Sequence, residues 1–179
     1  MIAGLDFSAD HFALFGLPRA QGIDPAALDA RFRELQAQAH PDKHASASDA
    51  DQRLAMQWAT RINEAYQALK NPLARARYLL HLLDHDAQIE SNTAMPAAFL
   101  MEQMELREAV AEAKVGADDT ALDALRSRLV AEIRAEYARL QAVIDEQRDF
   151  PAATALVRQL MFQEKLLHEI DEALEAVLS

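Results

Sequence analysis

The chain has 179 residues, no cysteine, 51% apolar residues and a net charge of −11. That composition excludes disulfides, thiol catalysis and thiolate-held clusters, and it supplies enough apolar side chain for a packed core. Four glycines and six prolines among long Ala/Leu/Glu/Gln/Arg stretches predict an all-α protein. No run of about 18 apolar residues predicts a membrane span, and the N-terminus lacks a basic region followed by an apolar core, so no secretory signal is expected. These features point to a cytoplasmic protein.

The charge is unevenly placed. Residues 1–83 carry nine basic and nine acidic residues, whereas residues 84–179 carry nine basic against twenty acidic, so the whole excess lies in the second half. An acidic half repels nucleic acid and anionic membrane and suits either a basic partner face or solubility alone.

In chain order, Asp10 to Leu17 reads as a short apolar turn closed by Gly16 and Pro18, with Phe12, Phe15 and Leu17 packed under the helices that follow. Asp24-Pro25 starts a helix, a side-chain cap followed by proline where its missing N–H costs nothing. Leu28, Phe32, Leu35 and Ala39 form its buried stripe, and Asp29, Arg33 and Gln36 its polar face. Pro41 ends this helix near His40, and Asp42 favours a turn, so His40-Pro41-Asp42-Lys43 forms a polar tip with no packing role. A solvated loop that offers a helix cap is expected at 45–49. The next helix, roughly 50–70, lies antiparallel to the first and buries Ala55, Trp58, Ile62, Ala65 and Leu69; Trp58 and Tyr66 read as core aromatics. Asn71-Pro72 caps a further helix with Ala76, Leu79, Leu80 and Leu83 on its apolar side.

Asp84 to Met95 is polar and unstriped, the best linker candidate. Three helices then predict an antiparallel bundle. The first opens at Pro96 and is stopped near Val115 by Gly116; Phe99, Leu106 and Val110 form its core stripe. The second is capped by Asp118 and Asp119 and buries Leu122, Leu125, Leu129, Ile133, Leu140 and Ile144. Phe150-Pro151 breaks it, and the last buries Leu156, Leu160, Leu167, Ile170, Leu174 and Val177.

Two features of the bundle exceed what a core needs. On its first helix Leu100, Met101 and Met104 lie on or beside a row that turns acidic at Glu105, Glu108 and Glu112. On its last helix Phe162 falls two residues past Leu160, about 200° round by the helical step, with Leu166 one turn on beside it. The strip is either covered by another part of the chain or a binding face, with aromatic and apolar anchors inside a carboxylate rim.

Catalytic motifs are missing: the glycines are too scattered for a phosphate loop, and neither a nucleophile elbow nor a zinc-protease helix motif is present. His40, Asp42 and His44 can be drawn as a metal set, but Pro41 restricts the backbone there. His81 and His85, four apart, read as a solvated helix terminus. No cofactor and no catalytic activity are expected.

The tip His40-Pro41-Asp42, the run Ile62-Asn63-Glu64-Ala65-Tyr66-Gln67-Ala68-Leu69, Asn71-Pro72 and Arg75-Ala76-Arg77-Tyr78 together resemble the J-domain, the co-chaperone module that stimulates ATP hydrolysis by DnaK-type chaperones. With Tyr78-Leu79-Leu80 and the segment Ala98 to Glu108, the resemblance extends over nearly the whole chain to the HscB-type co-chaperones of iron–sulfur cluster biogenesis. It implies a J-domain over residues 1–83, a linker over 84–95 and a three-helix client-binding bundle over 96–179. It further implies that His40, Pro41, Asp42, Lys43, Arg31 and Arg33 meet an HscA/DnaK-type ATPase, and that Leu100, Met101, Met104, Glu105, Glu108, Glu112 and Phe162 bind an IscU-type scaffold protein. Ala39 stands where the family usually carries an aromatic, and Arg31 and Arg33 share their helix with Asp29 and Glu34. A J-domain adaptor for another client, and a helical scaffold without a chaperone role, are the alternatives.

Overall fold

The computed structural model describes residues 6–40, 48–85, 89 and 95–178, and among them there is no β-strand. The helices are α1 (His11–Phe15), α2 (Pro25–Ala39), α3 (Asp49–Lys70), α4 (Pro72–Leu82), α5 (Ala97–Val115), α6 (Asp119–Ala142) and α7 (Phe150–Leu178), with a π-helical turn, Val143–Gln147, after α6. They fall into two compact units, 1–79 and 80–179, divided within α4.

The first unit is built on the α2–α3 hairpin. Asp24 caps α2, accepting from the Ala26 amide at 2.9 Å, and Ser48 caps α3 by accepting from the Asp51 amide. Leu28, Leu35, Ile62, Leu69 and Trp58 are almost wholly buried; each such leucine contributes on the order of 1.5–3 kcal/mol by leaving water. Phe32 is half-buried rather than core and stacks on Tyr66, centroids 3.9 Å apart. Asp29 and Gln36 depart from the expected polar face. Asp29 accepts from the Tyr66 hydroxyl at 2.8 Å, and Gln36 donates to Asn63 at 2.6 Å. Residue 29 thus meets 66 while 36 meets 63, which fixes the hairpin as antiparallel. Beneath it, α1 buries Phe12, Leu14 and Phe15, while Leu17 stays half-exposed. The His11 ring stacks on Tyr78 at 4.1 Å, and the His11 amide donates to the Tyr78 hydroxyl at 3.0 Å.

The second unit is a bundle of α5, α6 and α7. Asp118 caps α6, accepting from the Ala121 amide at 2.9 Å. Leu122, Leu129, Ile133 and Leu140 of α6 are buried, as are Leu156, Val157, Leu160, Leu166 and Ile170 of α7. Leu125 and Leu167, expected in the core, are only half-buried. Arg126 pairs with Asp171 at 2.7 Å and Tyr137 hydrogen-bonds Glu164, so α6 and α7 run antiparallel. Phe99 meets Phe162 and Arg107 pairs with Glu169 at 3.2 Å, so α5 and α7 run parallel. Up–down–up is the topology that short connections impose.

Three helix ends share one device. Gly16, Asp84 and Ala117 follow α1, α4 and α5 with left-handed backbone, φ 66°, 58° and 50°. The next amide reaches back to the last turn each time: Leu17 to Phe12, His85 to Leu80, Asp118 to Ala113, at 2.8–2.9 Å. Gly116, the expected stop, is right-handed at φ −76°; the left-handed residue is its successor, Ala117. Only the first of these three ends uses the glycine that such backbone favours.

Candidate functional site

The tip begins where α2 ends. His40 is the C-cap, with extended backbone at φ −61° and ψ 126°, and is exposed. That geometry is what a following proline demands of its neighbour. Pro41, Asp42, Lys43 and His44 lie outside the described residues, and with them the rest of the tip and the metal set drawn through His44. Of the basic residues on α2, Arg33 is exposed and Arg31 pairs with Glu34 at 2.9 Å, one turn on. Among the described residues no group of three or more His, Asp or Glu is placed to hold a metal. His85 is not a solvated terminus: its ring lies 5.1 Å from that of Phe150, and its carbonyl accepts from the Thr154 hydroxyl at 3.3 Å.

The bundle strip can be traced in full. On α5 the buried row is Gln103, Leu106, Val110 and Ala113. That phase turns Leu100, Met101 and Met104 outward, exposed by 39%, 63% and 61%. Glu105, Glu108 and Glu112 are exposed too, and no cation among the described residues pairs with them. Their neighbours behave differently. Glu102 is held by Arg128 of α6 at 2.9 Å, and Arg107 by Glu169 of α7. Ion pairs therefore staple the two flanks of α5, and the outward row between them keeps its negative charge uncompensated.

Phe162 is 40% exposed. Its ring meets Phe99 edge to face, centroids 6.4 Å apart and planes at 89°, which places it beside the N-terminal turns of α5 where Leu100 and Met101 project. Two expectations are corrected here. Leu166, read as exposed beside Phe162, is wholly buried. Phe99, read as core, is half-buried and is the aromatic against which Phe162 rests. The first error has a local cause. The buried positions of α7 are 153, 154, 156, 157, 160, 163, 166, 170 and 173, so the row passes from Leu160 through Gln163 to Leu166 and leaves Leu167 at its edge. Gln103 and Gln163 sit in the buried rows of α5 and α7, and polar residues hid that phase from a reading of apolar positions alone.

The arrangement presents thioether, aliphatic and aromatic surface framed by carboxylates, which suits it to binding. Among the described residues no helix is long and apolar enough to cross a membrane.

Comparison with known proteins agrees with this anatomy. Residues 95–171, which hold most of the bundle, match the family described as the HSCB C-terminal oligomerisation domain. The co-chaperone protein HscB homolog of Aromatoleum aromaticum is 51% identical over 97% of this chain and 98% of its own length. That of Ralstonia nicotianae is 53% identical over 94% and 96%. Among solved structures, the chaperone HscB from Vibrio cholerae superposes with a TM-score of 0.83 at 39% identity, covering 94% of this chain and 99% of that one. Human co-chaperone protein HscB gives 0.87 at 27% identity, covering 94% and 84%.

Proposed function

The chain belongs to the HscB co-chaperone family, and from that premise we propose that it is an adaptor with no catalysis of its own. Its bundle binds an IscU-type iron–sulfur scaffold protein. Its N-terminal unit brings that client to an HscA/DnaK-type chaperone, whose ATPase is stimulated through the tip His40-Pro41-Asp42, with Lys43, Arg31 and Arg33 adding attraction. The setting is the cytoplasm, and neither nucleic acid nor membrane is a partner. We assign the J-domain to residues 1–83, the linker to 84–95 and the client-binding bundle to 96–179.

The observation that carries this reading is the outward strip of the bundle. Leu100, Met101, Met104 and Phe162 are exposed where a three-helix core has no use for them, and Glu105, Glu108 and Glu112, with no cation paired to them among the described residues, extend them. Large apolar side chains kept in water in one place mark an interaction surface. They coincide with the positions that the family resemblance carries over as scaffold-binding. The acidic row selects a basic partner face and speeds encounter, an effect that salt weakens.

Single-turnover ATPase assays of the chaperone test the proposal, with this protein alone, the scaffold alone and both together. Stimulation by this protein and a larger stimulation by the pair is the expected result. Stimulation that the scaffold never enhances would assign the bundle to another client; no stimulation at all would leave a helical scaffold without a chaperone role.

A further inference from the structure

We propose that Met101 and Met104 are a reversible oxidation site on the bundle, where transfer of oxygen from a hydroperoxide to the two thioethers switches off docking of the client protein. The inference rests on the reading of this strip as the client face.

Four of the eight large apolar side chains exposed among the described residues are Leu100, Met101, Met104 and Phe162. Two of those four are thioethers, and they are the most open of the group, at 63% and 61% against 39% for Leu100 and 40% for Phe162. Met95 and Met161 are half-buried. Met56 is as open, at 61%, but lies on α3 in the other unit. A soluble oxidant therefore reaches the sulfurs of the strip without any opening of the core.

The step balances simply. A sulfur lone pair attacks one oxygen of the hydroperoxide, the O–O bond breaks, and the departing oxygen keeps the bonding pair and takes the proton to leave as water or alcohol. Sulfur is oxidised by two electrons and the peroxide reduced by two. The product is a polar, chiral sulfoxide where a flexible apolar chain stood. A docked partner must then strip water from two S=O dipoles in the middle of its apolar contact, which opposes binding unless new donors are supplied. Glu105 and Glu108, on the same outward row, are acceptors when ionised and cannot serve as those donors. Because both side chains project into solvent, the same change leaves the packed rows of α5 untouched, and methionine sulfoxide reductases can reverse it.

The test oxidises this protein alone with hydrogen peroxide, removes the peroxide, locates the sulfoxides by peptide mass spectrometry and titrates with an IscU-type scaffold by calorimetry. Sulfoxide at both positions should weaken binding about tenfold or more, as loss of hot-spot contacts does. Treatment with methionine sulfoxide reductase should restore it. The readout for variants is the ratio of affinity after oxidation to that before, which cancels any effect of the substitution itself. The ratio should rise towards unity in the double variant Met101→Leu, Met104→Leu and stay low in Met56→Leu. Unchanged affinity in protein sulfoxidised at both positions would overturn the inference and leave the client-face reading intact. A loss that persists in the double variant, or that follows melting of the oxidised chain, would overturn it as well. Failure of the untreated protein to bind the scaffold would remove the client-face reading, and the inference with it.

Discussion

Phe162 of α7 rests edge to face on Phe99 of α5, centroids 6.4 Å apart, while two fifths of its surface stays in water. One aromatic thus holds another in place and leaves its outer face for a partner. An anchor fixed this way loses little side-chain freedom on binding, and such side chains carry a large share of interface energy.

The first prediction follows from that pair. Leu100→Ala, Met104→Ala and Phe162→Ala together should abolish binding of an IscU-type scaffold in calorimetric titration, each anchor costing on the order of 1–2 kcal/mol. Glu105→Gln, Glu108→Gln and Glu112→Gln should act more weakly, chiefly at low salt. Basal ATPase stimulation should survive all of them, because the tip is untouched. Wild-type affinity in a folded triple alanine variant would place the client elsewhere.

The second concerns the tip. His40→Gln should remove stimulation of the chaperone ATPase while changing stability by less than about 0.5 kcal/mol, since the residue is an exposed helix cap. Thermal melts and single-turnover assays on the same preparation separate the two effects. Full stimulation at saturating concentration of the variant would sink the assignment.

A pH dependence is expected from His11. Burial pushes its imidazole below the ordinary value of 6.5, and the nearby Arg61 cation adds to this, outweighing the opposite pull of Asp10 and Glu64. The folded chain therefore binds fewer protons than the unfolded chain in the window below 6.5. Stability must fall as pH drops through that window and level off once the folded-state value is passed. Asp10 acts lower down. Burial alone would raise its carboxyl, but hydrogen bonds from the Ala13 amide and Arg19 outweigh that and lower it, so its share of stability is lost only as pH falls from 3.8. Melting curves taken between about pH 7.5 and pH 5 should thus report His11 without Asp10. His11→Phe, which keeps a ring against Tyr78, should flatten them; an unchanged slope would place the titrating group elsewhere.

The fourth is a stabilising substitution. Ala117 holds φ 50° after α5, a conformation that its Cβ disfavours and glycine accepts. Ala117→Gly should raise stability by about 0.5 kcal/mol, the relief of strain exceeding the extra freedom of the unfolded chain. A lower melting temperature would show that the turn carries no strain.

Sequence alone determined a good deal here. Prolines 25 and 72 and the caps Asp24, Asn71 and Asp118 set helix starts, because these residues satisfy or spare backbone donors locally. The all-α class, the α2–α3 hairpin and the α3 stripe from Ala55 to Leu69 followed from local spacing. So did the outward turn of Leu100, Met101, Met104 and Phe162, since each stands well off its helix's core stripe. What tertiary structure decided was phase and partnership. Along α7 the buried row advances by threes from Leu160 through Gln163 to Leu166, so Leu166 is buried in place of Leu167. Left-handed helix ends fell on Asp84 and Ala117, neither of them a glycine. Asp29 turned to Tyr66, and Glu102 and Arg107 turned sideways to Arg128 and Glu169. A sequence gives every charge but not its distance to the next, so only the folded bundle separates the paired Glu102 of α5 from Glu105, Glu108 and Glu112, which face the solvent with no cation paired to them among the described residues.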